Sequence, residues 1–384
     1  MSYSKNPVKG NPKGYLYLSG DGKTIGSKRI SVNPDTNTPC VDELIAEDIW
    51  KPVSLQGAEN IDINERTGFV NQTDSALSIN EGTRTLSITP TGASFRIYSK
   101  NVLYDYTSSQ STAWPDTEGN HYFYFDENGD IQKTMTFDVR FVLGPWVFIS
   151  YLYWDATNKK TIFNDCFDER HGAQMDGASH FYLHTTVGMA WAGGLKLVDF
   201  VADGDGSLDT HAQFGNESGD IADEDIAQSV SAISSTVGFP ILYLEGAFAN
   251  NRSTINPGFG VLTNGSGRLV YNEWTGSVWQ LTEVANTKFV LYHIFATTSN
   301  TDGNRIFTVP GHNEYSTLAT AQDGAESEIL SVLPDLLLFK EIKALGTIIY
   351  QTGSYANAVK SRIRTTSDGK DYIDWRVIKL FPVS

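Results

Sequence analysis

Three of the seven histidines, His171, His180 and His184, fall within fourteen residues near the middle of the chain. They lie in the stretch 162–191, IFNDCFDERHGAQMDGASHFYLHTTVGMAW, which also carries Asp165, Asp168, Glu169, Arg170 and Asp176. Neutral imidazole nitrogens ligate borderline cations such as Zn²⁺, and the HxxxH spacing of His180 and His184 sets both rings on one face of a helix. His171 or Asp176 would then be the third ligand. The glutamate that serves as general base in an HExxH motif is missing, because Phe181 follows His180. On a strand the two histidines would also share a face, so spacing does not decide the geometry. His180 and His184 are carried as candidates only. No metal or other cofactor is assigned, and the expected role of the stretch is a hydrogen-bonded polar junction.

A second set of oxygen ligands occurs in ADGDGSLDT, where Asp203, Asp205, Ser207 and Asp209 alternate and could ring a Ca²⁺ ion. An EF-hand loop needs glycine at its sixth position and an acid at its twelfth; counted from Asp203 these are Leu208 and Phe214, so the motif fails. Asp203, Asp205 and Asp209 stand as candidates against an ordinary Gly and Asp turn cluster. GNESGDIADED, with Glu217, Asp220, Asp223, Glu224 and Asp225, is expected to be a solvated acidic run opening a short helix over DIAQSV.

Glycoside cleavage needs two carboxyls about 5 to 9.5 Å apart, which Asp165, Asp168 and Glu169 could supply. Arg170, beside Glu169, equally suits an ion pair in a junction. There is no GxSxG and no GxxxxGK[ST] loop, and Cys166 sits next to Asp165, whose charge would raise a thiol pKa. Trp114, Trp274 and Trp279 could offer flat faces to sugar rings, although in a chain so rich in aromatics most will be core. No catalytic residue is assigned and a non-enzymatic protein is expected.

The elements that must position these residues are strands. Of 384 residues 40% are hydrophobic and only 19% charged, with Gly 34, Tyr 18, Phe 20 and Trp 8, a composition of turn-rich, aromatic β proteins. The formal charge of −16 repels nucleic acid and anionic membrane. Two cysteines, Cys40 and Cys166, support neither a disulfide framework nor a zinc knuckle. No apolar leader and no run of about 18 apolar residues is present, so a soluble product of the cytosol is expected, with no membrane insertion.

Residues 1–52 read as an arm with a short helix: Thr38 as N-cap, Pro39 at the first position, and Val41, Leu44, Ile45 and Ile49 on one face for contact with another copy or a partner. Residues 53–155 alternate apolar and polar side chains between turn signals, as a β-sandwich requires, and Asn128-Gly129 suits a type I′ hairpin turn. Residues 156–384 read as a second β-rich domain with one or two helices. One of these is expected over 317–332, capped by Ser316, with Leu318, Ala321, Ala325, Ile329 and Leu330 near one face. The fold class is therefore all-β, two sandwich-like domains with a few short helices and an extended N-terminal arm.

The order DERHG, MDGASHFYLH, FGNESGDIADEDI, GRLVYNEWTGSVWQLTEVANTKFVLYHIFAT and GTIIYQTGSYANAVKSRIRTTSDGKDYIDWR, together with YFYFDENGDI and YLYWDATNKK, resembles phage virion proteins of tail or neck fibres over roughly residues 55–376. The resemblance implies a structural protein of a phage particle, a homo-oligomer with a trimer favoured. Its N-terminal part would attach to tail, neck or capsid proteins, and a host glycan or receptor would be a further partner. The chain stops soon after YIDWR, with no long shaft, which fits a short fibre, collar or adaptor.

Overall fold

A computed structural model describes residues 66–332 and 341–378 with their side chains, Thr185 excepted, and the backbone of strand residues 19–20, 23–24, 28–32, 39–46 and 49–53. Among the described residues strands hold 45% and helical turns 13%, so the chain is all-β in class, with layered, sandwich-like sheets.

The helix expected over 39–49 is replaced by strands. β1 (Lys28–Val32), β2 (Pro39–Ala46) and β3 (Ile49–Val53) form an antiparallel sheet in that order, with Val41, Leu44 and Ile45 on β2 and Ile49 opening β3. The register sets Lys28 opposite Glu43, Arg29 opposite Asp42 and Lys51 opposite Glu43. β2 finds a partner strand on each side, whereas an isolated helix shorter than roughly 12–15 residues is marginal in water. The side chains of those four apolar residues, expected above as oligomer or virion contacts, lie outside the described residues, as does most of the arm.

Arg66–Leu380 form one compact unit that, among the described residues, holds two large apolar cores and a small cluster of Ile241, Leu262 and Val270. In the first, β4 (Ser75–Asn80) pairs β5 (Thr85–Pro90), β6 (Phe95–Ser99) pairs β7 (Val102–Tyr106), and β8 (Gln110–Ala113) adds to β5. Alternation sends Leu77, Leu86, Ile88, Phe95 and Ile97 inward. β9 (Gly119–Phe125) runs between β10 (Ile131–Thr134) and, beyond the short helix α1 (Arg140–Leu143), β11 (Val147–Asp155), which is buried along its whole length. The turn at Asn128-Gly129 is not the two-residue type I′ expected. It is a loop over 126–130 in which Asp126 Oδ1 accepts the backbone N–H of Asn128 and Asp130, at 2.9 and 3.0 Å, and only Gly129 takes a positive φ.

β12 (Phe167–Asp168) pairs with β11 and leads to helix α2 (Gly177–Thr186) and to β13 (Ala190–Gly194), β14 (Gly219–Asp223) and β15 (Ile226–Val230). The helix expected over DIAQSV is β15, because Ile226, Gln228 and Val230 alternate inward against β14. The second core packs on a larger sheet built from β16 (Pro240–Glu245), β17 (Asn250–Ile255), β20 (Phe289–Thr297), β21 (Ile306–Tyr315), β22 (Ile342–Thr352) and β23 (Ser361–Arg364), in the order β17-β16-β21-β20-β22-β23. A hairpin of β18 (Val270–Trp274) and β19 (Trp279–Glu283) lies outside it.

Helix α3 (Leu318–Ser331) begins one residue later than expected, with Thr317 as N-cap accepting from the Thr320 N–H. Ala321, Ala325 and Ile329 are buried as expected, while Leu330 is exposed and Glu328 takes a place in the buried stripe. The Glu328 carboxylate accepts the backbone N–H of His312 and Asn313 and the Tyr315 hydroxyl, tying β21 to α3. Burial alone would raise its pKa, but the His293 imidazole 3.9 Å away, Tyr315 and the Asn313 N–H hold it below the usual carboxylate range.

Glu328→Ala removes the acceptor of two part-buried backbone N–H groups and of the Tyr315 hydroxyl, and is expected to lower stability by about 3 kcal/mol in urea unfolding. Because the folded pKa is depressed, the carboxylate stabilises the fold above its unfolded pKa of about 4.3, and that contribution is lost as pH falls through the folded value. The stability gap between wild type and Glu328→Gln should therefore be full at neutral pH and close below about pH 4.

Candidate metal centre

The central stretch is held by backbone before any side chain is considered. The Phe69 N–H donates to the His171 carbonyl and the Ala173 N–H to the Phe69 carbonyl, each at 2.8 Å, so the loop after β12 adds to the edge of the first core. Gly68, at φ 134°, passes so close that a Cβ there would meet the His171 carbonyl at 2.8 Å. Asp176 caps α2, its Oδ1 accepting from the N–H of Ala178 and Ser179 at 3.1 and 3.0 Å. Gly177 lets the helix start against the end of α1, where a Cβ would lie 2.4 Å from the Leu143 carbonyl. The inward face of α2 is polar: its buried side chains, among those described, are His180 and His184, one turn apart.

Those two rings meet His171. Ring centroids are 4.4 Å apart for His171 and His180, 4.5 Å for His180 and His184, and 5.2 Å for His171 and His184. His171 Nδ1 donates to Asp225 Oδ1 at 2.7 Å, so in the neutral ring Nε2 keeps its lone pair. His180 Nδ1 donates to the Val142 carbonyl of α1 at 3.1 Å, again leaving Nε2 as the lone-pair nitrogen. His184 Nε2 lies 2.8 Å from His180 Nε2, and its Nδ1 faces Glu341 Oε1 at 3.4 Å.

Glu224 completes the group. It sits at the tip of the β14–β15 hairpin with φ 46°, a conformation that favours glycine, and turns its side chain inward until 1% of it is exposed. Its Oε2 is 3.4 Å from His184 Nε2 and 3.5 Å from His171 Nε2. Neither Glu224 oxygen makes a hydrogen bond of ordinary geometry, and neither does His171 Nε2. His171, His180, His184 and Glu224 each place one ligand atom within 4.8 Å of all the others.

Behind these four lie Glu169, Asp223 and Glu341, all buried, with carboxyl oxygens that also lack ordinary hydrogen bonds. Glu169 and Glu341 converge with His184, and Glu169 and Asp223 with His171. Burial first, and then the neighbouring acids, push Glu169 and Glu341 well above the usual carboxylate range and Glu224 up to about 10; burial also raises Asp223. Burial drives His180 and His184 well below the ordinary imidazole value. Asp225 goes the other way, because the His171 ring and the Gly172 N–H outweigh its burial. Without a cation, burial thus favours protonated Glu169, Glu224 and Glu341 and neutral His180 and His184, and neutral imidazole is the ligand form.

Of the residues singled out in the sequence, His171, His180 and His184 come together and Asp176 does not, since it is spent as a helix cap. Asp203 pairs with Arg364 and Thr365, Asp205 accepts from Ser207, and Asp209 accepts the Ala358 N–H, so these three satisfy separate turns. Asp168 is locked by two 2.7 Å bonds from Arg170 and a 3.0 Å bond from Gln72. Asp165 accepts from the Ser299 hydroxyl and the Thr301 N–H, both at 2.6 Å. The partner of Arg170 is therefore Asp168, not Glu169, and both Asp165 and Asp168 staple the loop after β20 and the first core to the central stretch. Trp114 is core, packed on Phe123 and Trp154. The burial of Cys166 raises its thiol pKa, with Asp165 adding to the effect.

Sequence reading missed Glu224, Asp223, Glu341 and the orienting Asp225. Two of the five acids in the run expected in solvent, Asp223 and Glu224, turn their side chains inward. Its usable signal is ADED between two alternating segments, acids standing where a two-residue turn would carry Asn-Gly. Glu341 has no local signal.

Arg170 also donates to the Ser75 carbonyl at 2.6 Å and to the Ser75 hydroxyl at 2.8 Å. Arg170→Ala strands the buried Asp168 charge and is expected to destabilise the fold by about 3–5 kcal/mol, read from the denaturant midpoint.

No protein-family model, no curated protein and no solved structure matches this chain, so the reading of the centre stands on its geometry.

Proposed function

We propose that the chain is a non-enzymatic structural component of a bacteriophage particle: a tail fibre, collar or neck fibre, or adaptor. In this reading it associates with copies of itself and is anchored through its N-terminal part to proteins of the tail, neck or capsid. The observation that carries the reading is the enclosure of the polar centre. The side chains of His171, His180, His184, Glu169, Glu224 and Glu341 are 8% exposed or less, and they lie between two β cores rather than along an open groove. A catalytic acid or base must come within hydrogen-bond reach of its substrate, whereas a brace needs only to be enclosed. The strand-dominated build and the resemblance of residues 55–376 to fibre proteins support the virion assignment. Closed cyclic symmetry supplies repeated interfaces, and a trimer is favoured.

Light scattering of the full-length protein tests self-association. The expected mass is three times that of the 42.3 kDa chain, and a monomer at every concentration would overturn the oligomeric part of the reading.

A second reading, a module that binds host glycan, has one specific observation in its favour. Trp274 is 45% exposed at the end of β18 and pairs across the hairpin with Trp279, their ring centroids 5.5 Å apart. Such a face can stack on a sugar ring. On a glycan array this reading requires a specific signal that Trp274→Ala abolishes while the fold is kept; blank arrays from folded protein remove it.

A further inference from the structure

We propose that His171 Nε2, His180 Nε2, His184 Nε2 and one Glu224 carboxylate oxygen bind a single divalent first-row transition ion, with Zn²⁺ the best fit. Asp225, the Val142 carbonyl and Glu341 orient the three rings.

The spacing is that of a coordination shell. Two donor atoms about 2.0–2.1 Å from one Zn²⁺ at the tetrahedral angle are about 3.3–3.4 Å apart. The Glu224 oxygen lies 3.4 Å from His184 Nε2 and 3.5 Å from His171 Nε2. The His180–His184 pair, at 2.8 Å, must open by roughly half an ångström, within the reach of small χ2 rotations. With a cation present both of these nitrogens offer lone pairs, and the His184 proton moves to Nδ1, where Glu341 Oε1 waits at 3.4 Å.

Each ring also has an outer partner of the kind metal-bound histidines use. His171 has a carboxylate on Nδ1 and His180 a backbone carbonyl, which fix tautomer and orientation. A hydrogen-bonded junction would instead leave its buried acceptors satisfied, yet His171 Nε2 is without an ordinary partner and Glu224 has another buried acid, Asp223, as its hydrogen-bond neighbour in a site sealed from water. The local fold spends stability to bring these groups in. Glu224 holds a backbone conformation better suited to glycine, and α2 docks through two imidazoles instead of aliphatic side chains. Three nitrogens and one oxygen select a borderline cation over Ca²⁺ or Mg²⁺, which take all-oxygen shells. Four protein donors in an enclosed site describe a structural ion.

The test uses the full-length, tag-free protein. Elemental analysis after purification without chelator should find one transition ion per chain. Stripped protein titrated with Co²⁺ should develop the intense visible bands of a four-coordinate site, displaced by Zn²⁺. Glu224→Gln and His184→Gln should lose those bands. Asp225→Asn, which keeps all four ligands, should keep the bands and bind about 10–100-fold more weakly. Folded wild-type protein that takes up neither Co²⁺ nor Zn²⁺, or that binds them as tightly after Glu224→Gln, overturns the proposal.

Discussion

Enclosing ionisable groups is costly unless each finds a counter-charge or a hydrogen bond, and this chain encloses three imidazoles and four carboxyls at one point. The rest of Arg66–Leu380 is arranged around that point. β11 and the loop after β12 reach it from the first core, α2 closes one side, the β14–β15 hairpin brings acids from another, and Glu341 enters just ahead of β22. In the metal-free centre, burial favours the protonated forms of Glu169, Glu224 and Glu341. A cation lets them ionise and turns repulsion among acids into shared attraction.

The neighbouring contacts make the same argument in simpler form. Asp168 and Asp165 are buried and fully partnered, by Arg170 and Gln72 in one case and by Ser299 and Thr301 in the other. Glu328 is buried and satisfied by backbone N–H groups. The fold thus meets the usual requirement wherever it buries an acid for structure alone, which sets apart the few acids at the histidine centre that lack such partners.

Much of the fold was legible because it rests on short-range signals. Alternation in 75–90 marked strands, and Ala321, Ala325 and Ile329 marked the buried stripe of α3. The misses share a cause. The segment 39–49 and DIAQSV carry weak helical patterns that a neighbouring strand overrides, and tertiary pairing is invisible locally. At the site, the HxxxH pair and His171 were legible from spacing, since a helix was one of two geometries allowed. Glu224 and Glu341 were not, because they arrive from 40 and 157 residues beyond His184, and sequence alone made Glu224 one acid in a solvated run.

The account turns on whether a cation occupies the space between the three rings and Glu224. Anomalous diffraction from crystals of the full-length protein, recorded above and below the zinc absorption edge, measures this directly. The account predicts one edge-dependent peak per chain, about 2.0–2.2 Å from His171 Nε2, His180 Nε2, His184 Nε2 and a Glu224 oxygen. Well-ordered density showing the rings and Glu224 joined only by hydrogen bonds, with no anomalous peak from crystals grown in Zn²⁺, would contradict it.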